Sequence, residues 1–156
     1  MNIADVSLSE VGNGNQFVVN WGRVGRTLGL KKLGCAVHVV PPGKKAFPFH
    51  RHHVLDELCY IISGQGEYRF GDQVYPLKPG DFVGAPAGTE AHQIINTGTE
   101  DLHYFCVSTT GEADVVDYPD SGKIAVAAGV KDGNMKTATY TAIGRIQPVH
   151  YLDGEE

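Results

Sequence analysis

No run in this chain approaches the ~20 consecutive apolar residues that a membrane-spanning helix needs. Positive charge is not in surplus either. Thirteen Lys and Arg face 18 Asp and Glu, a formal net charge of −5 with a pI near 5.8, which argues against nucleic acid and anionic membrane as partners. Cysteine is scarce: Cys35, Cys59 and Cys106 are odd in number and scattered, with no CxxC pair. All three lie in apolar, strand-like runs, where a buried reduced thiol is the ordinary reading. Met1 is followed by Asn2-Ile3-Ala4-Asp5, with neither a basic start nor the apolar core of an export signal, so a cytoplasmic location is expected. Ser63, Ser108 and Ser121 sit in no GxSxG context, which leaves serine hydrolase chemistry without support. The glycines between Gly22 and Gly29 do not form GxGxxG. No amphipathic helical period and no helix-turn-helix pattern is apparent.

What the chain does have is glycine, 20 of 156 residues, about 13% against a usual ~7%. The glycines recur between short apolar runs, so that turns arrive every 8–12 residues from about position 30 to 110. That spacing argues an all-β sandwich or barrel. Strands are expected at Gln16–Trp21, Gly34–Val40, Ala46–His52, Leu58–Ile62, Phe82–Ala85, His92–Asn96 and Leu102–Thr109. Glu67–Phe70, Gly71-Asp72 and Gln73–Leu77 carry a hairpin signature. The first fourteen residues read as a loosely held arm and Gly22 to Gly29 as a loop. Past Gly111 the signal weakens: Asp117 to Gly122 reads as a loop, Lys123–Ala128 as a strand or helical turn, and Thr137–Ile143 as a terminal strand. One domain is expected over 1–156, with a core barrel at about 34–110 and a C-terminal extension at 111–156.

The densest chemistry lies in Phe49-His50-Arg51-His52-His53-Val54-Leu55-Asp56-Glu57. His50 and His52 are two apart and share a face on a strand. Glu57 is five residues from His52, an odd separation, so the two converge only if Val54-Leu55-Asp56 breaks the strand. Glu57, Cys59 and Ile61 would then share an inward face with Glu57 nearest the mouth. A buried carboxylate without a partner costs several kcal/mol, and a metal ion would offset that cost. The alternative is that Asp56 and Glu57 are solvated turn residues.

Further along, Gly80 is followed after five residues by Pro86-x-Gly88, then by His92 and Asn96. Together with His50-x-His52, four residues, Glu57, six residues and Gly64, this resembles the two motifs of the cupin superfamily, over roughly residues 34 to 108. The wider likeness, which includes Tyr118-Pro119-Asp120, is to small single-domain bacterial cupins. The resemblance implies a double-stranded β-helix, or jelly-roll barrel, with His50, His52, Glu57 and His92 as metal ligands. Such nitrogen and oxygen donors suit a divalent transition ion, Mn, Fe, Co, Ni or Zn, with positions left open for water or substrate. Two spacings depart from the family pattern: three residues rather than two separate Gly88 from His92, and six rather than five separate Gly43 from His50.

Other residues carry weaker signals. His53, adjoining the pair, is read as surface or as a support to it. Cys59 could neighbour the metal, although a small core thiol is the plainer reading. His103 shares a strand face with Phe105 and Val107; it is the acid/base candidate, against a satisfied core or rim histidine. Tyr68, Phe70, Tyr75, Phe82 and Tyr104 are read as barrel filling, and Trp21 as closing a barrel end or a dimer contact. Arg23, Arg26, Lys31 and Lys32 form a basic cluster, read as a solvated loop with an anion-binding lip as the alternative. Three functions follow from the resemblance: a metal-dependent enzyme of isomerase, dioxygenase, decarboxylase or epimerase type; a module that binds a carbohydrate or small acid without turnover; or a structural or storage protein. Family likeness also implies a homodimer, with a small-molecule ligand in the barrel.

Overall fold

The apolar alternation of Leu102–Thr109 becomes the centre of the larger of two walls. The computed structural model describes residues 1–156. Its strands are β1 (Ser9–Gly12), β2 (Val18–Arg23), β3 (Leu33–Val40), β4 (Arg51–His52), β5 (Glu57–Ser63), β6 (Gly66–Phe70) and β7 (Gln73–Leu77). They continue with β8 (Phe82–Ala85), β9 (His92–Ile95), β10 (Leu102–Thr109), β11 (Ala113–Tyr118), β12 (Lys123–Ala128) and β13 (Tyr140–Gly144). The only α-helix, α1 (Val24–Thr27), has four residues, and no helix is long and apolar enough to cross a membrane.

One wall is a six-stranded antiparallel sheet in the order β1-β2-β3-β10-β5-β8. The other is built from two sheets, β13-β12-β11-β4 and β7-β6-β9. These meet where His50 and His92 exchange backbone hydrogen bonds, His50 N–H donating to His92 O at 3.1 Å and His92 N–H to His50 O at 2.7 Å. The architecture is all-β, of the double-stranded β-helix type.

Cross-strand register decides what faces inward. Leu102, Tyr104 and Cys106 of β10 pair with Val40, His38 and Ala36 of β3, while Tyr104 and Cys106 pair with Ile61 and Cys59 of β5. Val19, Val40, Ile61 and Leu102 have no exposed surface and close one end of the barrel against Tyr68, Leu77 and Ile94 of the opposite wall. Each such aliphatic side chain contributes about 1.5–3 kcal/mol by burial. Gly64 makes the turn after β5 at φ +85°, and a Cβ there would stand 2.4 Å from the Asp101 carbonyl oxygen, so the turn requires glycine.

Several expectations need correction. The N-terminal arm is tied down, because β1 pairs with β2 along its whole length. Gly22 to Gly29 is the end of β2 followed by α1 rather than an open loop. Of Ala46–His52 only Arg51–His52 is strand, since Pro48 interrupts the run and a single bridge, His50 to His92, replaces a ladder there. Ala113–Tyr118, unassigned from sequence at its start and read as a loop at its end, is β11, paired on both sides. Tyr75 and Phe82, at 50% and 67% exposed, do not fill the barrel; they lie on β7 and β8, each at the edge of its sheet. Cys59 and Cys106, read as reduced thiols, are directly opposite one another and joined as a disulfide, leaving Cys35 as the free thiol.

Candidate metal centre

Three strands deliver the side chains of the site. β4 and the residue before it carry His52 and His50. The turn at Val54-Leu55-Asp56 breaks the chain, and Glu57 begins β5. β4 and β5 do not pair with each other: they belong to facing walls, so His52 and Glu57 meet across the barrel. His92 opens β9 and is held beside His50 by the backbone exchange, with ring centroids 4.5 Å apart.

Ligand atoms of His50, His52 and Glu57 all lie within 4.8 Å of one another. His92 is outside that set, but its Nε2–H donates to Glu57 Oε2 at 2.9 Å. The extra residue between Gly88 and His92 is accommodated before the strand, where Gly71 N–H donates to Ala91 O at 2.9 Å.

Two imidazoles are held in one tautomer. His50 Nδ1–H donates to the Pro48 carbonyl at 2.7 Å. His52 Nδ1–H donates to Asp114 Oδ2 at 2.5 Å, and Asp114 Oδ1 accepts from the Val54 and Val115 N–H groups. In each ring the proton on Nδ1 leaves Nε2 as a lone pair, the state a metal ligand needs. The His52 Nε2 stands 3.9 Å from Glu57 Oε1. His92 lacks this support, since its Nδ1 is buried without a partner.

The electrostatics agree with a cation-ready cluster. Burial and the neighbouring His92 and His52 push His50 down to about 4, against the pull of Glu57. Burial lowers His52 too, but the Asp114 hydrogen bond and the Glu57 and Asp114 charges outweigh it and leave it raised. Burial would raise Glu57; the hydrogen bond from His92 and the three imidazoles outweigh it and hold the carboxyl at about 2. An ionised carboxylate beside the neutral His50 ring is a donor pair that fits a divalent transition ion.

The site opens on a cavity of about 310 Å³, walled by Trp21, His38, Ala46, Phe47, Tyr104, Cys59 and Cys106 beside His50, His52, Glu57 and His92. His38 stacks on Tyr104 at 4.7 Å between ring centroids and is pushed to about 4 by burial, against the pull of Glu57. Glu57, Cys59 and Ile61 share the inward face as expected, and Trp21 lines the cavity. His103 does not: it pairs with Val39 on the face opposite Tyr104 and Cys106 and is absent from the cavity wall. The strand phase that brings the bulky Tyr104 inward turns His103 out.

Sequence reasoning missed Asp114, His38 and the partners of His53. His53 Nε2–H donates to Asp117 Oδ1 at 2.9 Å, and Arg51 holds both oxygens of the same carboxylate at 2.8 and 3.2 Å. These contacts pin β4 to β11. The available signal was a pair of acids, Asp114 and Asp117, within the β-branched run Val115-Val116.

Comparison with known proteins bears on the same segment. Residues 36–108 match the family model described as "Cupin domain". An "Oxalate-binding protein" of Thermotoga maritima is 35% identical over 68 residues, 44% of this chain and 54% of that protein. An uncharacterized protein of Methanocaldococcus jannaschii is 32% identical over 77 residues, 49% of this chain and 60% of the other. The chain thus spans little more than half the length of these relatives. A crystal structure from Acidithiobacillus ferrooxidans, provisionally named a sugar phosphate isomerase, superposes with a TM-score of 0.79 at 28% identity, covering 95% of this chain and 92% of that one. A second, from Silicibacter pomeroyi, has the same TM-score at 18% identity, over 97% and 96% of the two chains, and speaks for the fold alone.

Proposed function

Because this chain belongs to the cupin family through residues 36–108, we propose that it is a metal-dependent enzyme acting on a small molecule. The ion is held by His50, His52, Glu57 and His92. The observation that carries this reading is the pair of fixed tautomers: Pro48 O and Asp114 each accept a hydrogen bond from the Nδ1–H of a histidine, which leaves its Nε2 free beside Glu57. When bound, a divalent ion supplies Lewis acidity and an anchor for paired substrate oxygens.

Among the reactions cupins support, isomerisation is favoured, because the Acidithiobacillus structure is similar over nearly the whole chain. Such a reaction moves a proton, and the cavity offers His38 as a neutral acceptor. Tyr104, raised by burial and by Glu57, stays protonated beside it. The apolar walls exclude water from the reacting atoms. His103 takes no part in this scheme.

A second reading has its own support in the match to the Thermotoga oxalate-binding protein: the site holds a small dicarboxylate or similar chelating acid without turnover. Incubating metal-loaded protein with phosphorylated sugars and with oxalate, following both product and binding, separates the two. Product formation that disappears with chelator supports the enzyme; saturable binding with no product supports the binding module. A cytoplasmic location is part of the proposal, and the state of Cys59 and Cys106 in fresh extracts bears on it, since a reducing compartment keeps such pairs open.

A further inference from the structure

We propose that a second cavity beside the first is a phosphate-binding subsite, formed by Arg23, Arg26 and Lys136 and sharing Trp21 as a common wall with the metal centre. The proposal rests on the reading above that the barrel takes a small molecule, and it adds the chemical class of that molecule: a phosphate monoester.

The placement comes from register. Trp21 of β2 pairs with His38, and Arg23, two residues on, pairs with Ala36. Both side chains therefore stand on the cavity-facing side of the strand, with Arg23 one pleat nearer the mouth, in the row that continues through Ala36 to Cys106 and Cys59. The Arg23 guanidinium lies 4.2 Å from the centre of the Trp21 ring, which orients it without neutralising it. α1 then turns the chain so that Arg26 lines the same hollow, a space of about 310 Å³ closed on its far side by Asn134 and Lys136.

The charge balance identifies the ligand. In a chain of net charge −5, three cations converge on one hollow, and neither Arg23, Arg26 nor Lys136 has a carboxylate partner. The acid in the wall, Asp132, is already matched by Lys31 at 3.2 Å. Two guanidinium forks and an ammonium suit the three peripheral oxygens of a phosphate better than the two of a carboxylate. The deep cavity has no arginine or lysine in its walls to meet a phosphate. One molecule can thus present oxygens to the ion and leave its anionic end at the arginines.

Trp21 is the only tryptophan, so its fluorescence reports on this hollow directly. The test titrates chelator-treated protein with inorganic phosphate, ribose 5-phosphate and ribose, in wild type, Arg26→Gln and Lys136→Gln. Both variants leave Arg23 over the indole. Saturable changes with both phosphates and none with ribose, weakened about tenfold in Arg26→Gln, are expected. Ribose 5-phosphate binding no tighter than inorganic phosphate would overturn the link to a phosphorylated substrate. No saturable phosphate response, or equal affinities in wild type and both variants, would overturn the subsite itself. Metal content of the variants, measured in parallel without chelator, should match wild type, so failure here is distinguishable from failure of the metal centre.

Discussion

Asp114 is the residue on which the candidate site most depends without being a ligand. Its carboxylate holds His52 by Nδ1 while two backbone N–H groups hold the carboxylate. Loss of such a partner typically costs roughly 10–100-fold in metal affinity. Asp114→Ala should therefore weaken metal binding by that factor in a chelator competition, and Asp114→Asn, which keeps an acceptor, by less. Equal affinity in all three proteins would show that His52 needs no such support. Acid titration offers a second residue-scale test. His38 and His50 both lie near 4 in the folded protein, against an ordinary 6.5 in the unfolded chain. Below 6.5 the unfolded state takes up protons that the folded state refuses, so stability falls as pH drops from 6.5 towards 4. His52, which is raised, works in the opposite sense above 6.5. The thermal midpoint of chelator-treated protein should drop clearly between pH 6.5 and 4, and a flat profile would contradict the burial of these rings. The spacing of His50, His52 and Glu57 was legible in the sequence. Asp114 was not, because a carboxylate 62 residues away acquires its role only through the pairing of two strands.

Strand phase accounts for most of what the sequence reading got right and for its plainest error. Leu102–Thr109 was found to the residue, since eight apolar and polar residues between clear turns leave little choice. Its His103 was the acid/base candidate because the face it shares with Phe105 and Val107 is as apolar as that of Tyr104 and Cys106; only pairing with β3 and β5 decides which lines the cavity. β11 escaped notice altogether: two acids interrupt its apolar pattern, and those acids are spent on His52, His53 and Arg51. A chain ending after Thr110 should thus retain part of the β signal in circular dichroism but bind metal far more weakly than the full chain. Undiminished affinity in the shortened chain would deny β11 its part in the site. The bond between β5 and β10 is open to the same kind of check. Cys59 and Cys106 are 47 residues apart, and closing a loop of that size stabilises by about 4 kcal/mol in the chain-entropy picture. Without reductant one thiol, Cys35, should alkylate in denatured protein; with reductant all three should, and the urea midpoint should fall. Three reactive thiols in unreduced protein would contradict the pairing.

For the whole molecule, the candidate metal centre lies at a seam. Neither the four-stranded nor the three-stranded part of the second wall contains all three histidines; the backbone exchange between His50 and His92 brings these together, and Glu57 of β5 meets them from the facing wall. The glycine turns and the two motifs made the barrel and this cluster readable in advance, while the way the C-terminal strands widen the second wall was not. β13 closes that wall with all five residues exposed, and Ile143, Ile146, Val149 and Tyr151 beyond or within it are each more than 60% exposed. We propose that a second copy covers this edge, as unpaired strands with apolar neighbours call for. Light scattering should then give twice the chain mass of 16.8 kDa, and a monomer at all concentrations would refute it. The central claim, that the His50, His52, Glu57 and His92 cluster is a metal site, is tested most directly by elemental analysis of protein purified without chelator. The account predicts a near-equimolar divalent transition ion in wild type, lost in His52→Ala and Glu57→Ala while the β spectrum persists. Wild-type protein that neither retains nor takes up such an ion, or variants that bind it as tightly as wild type, would contradict it.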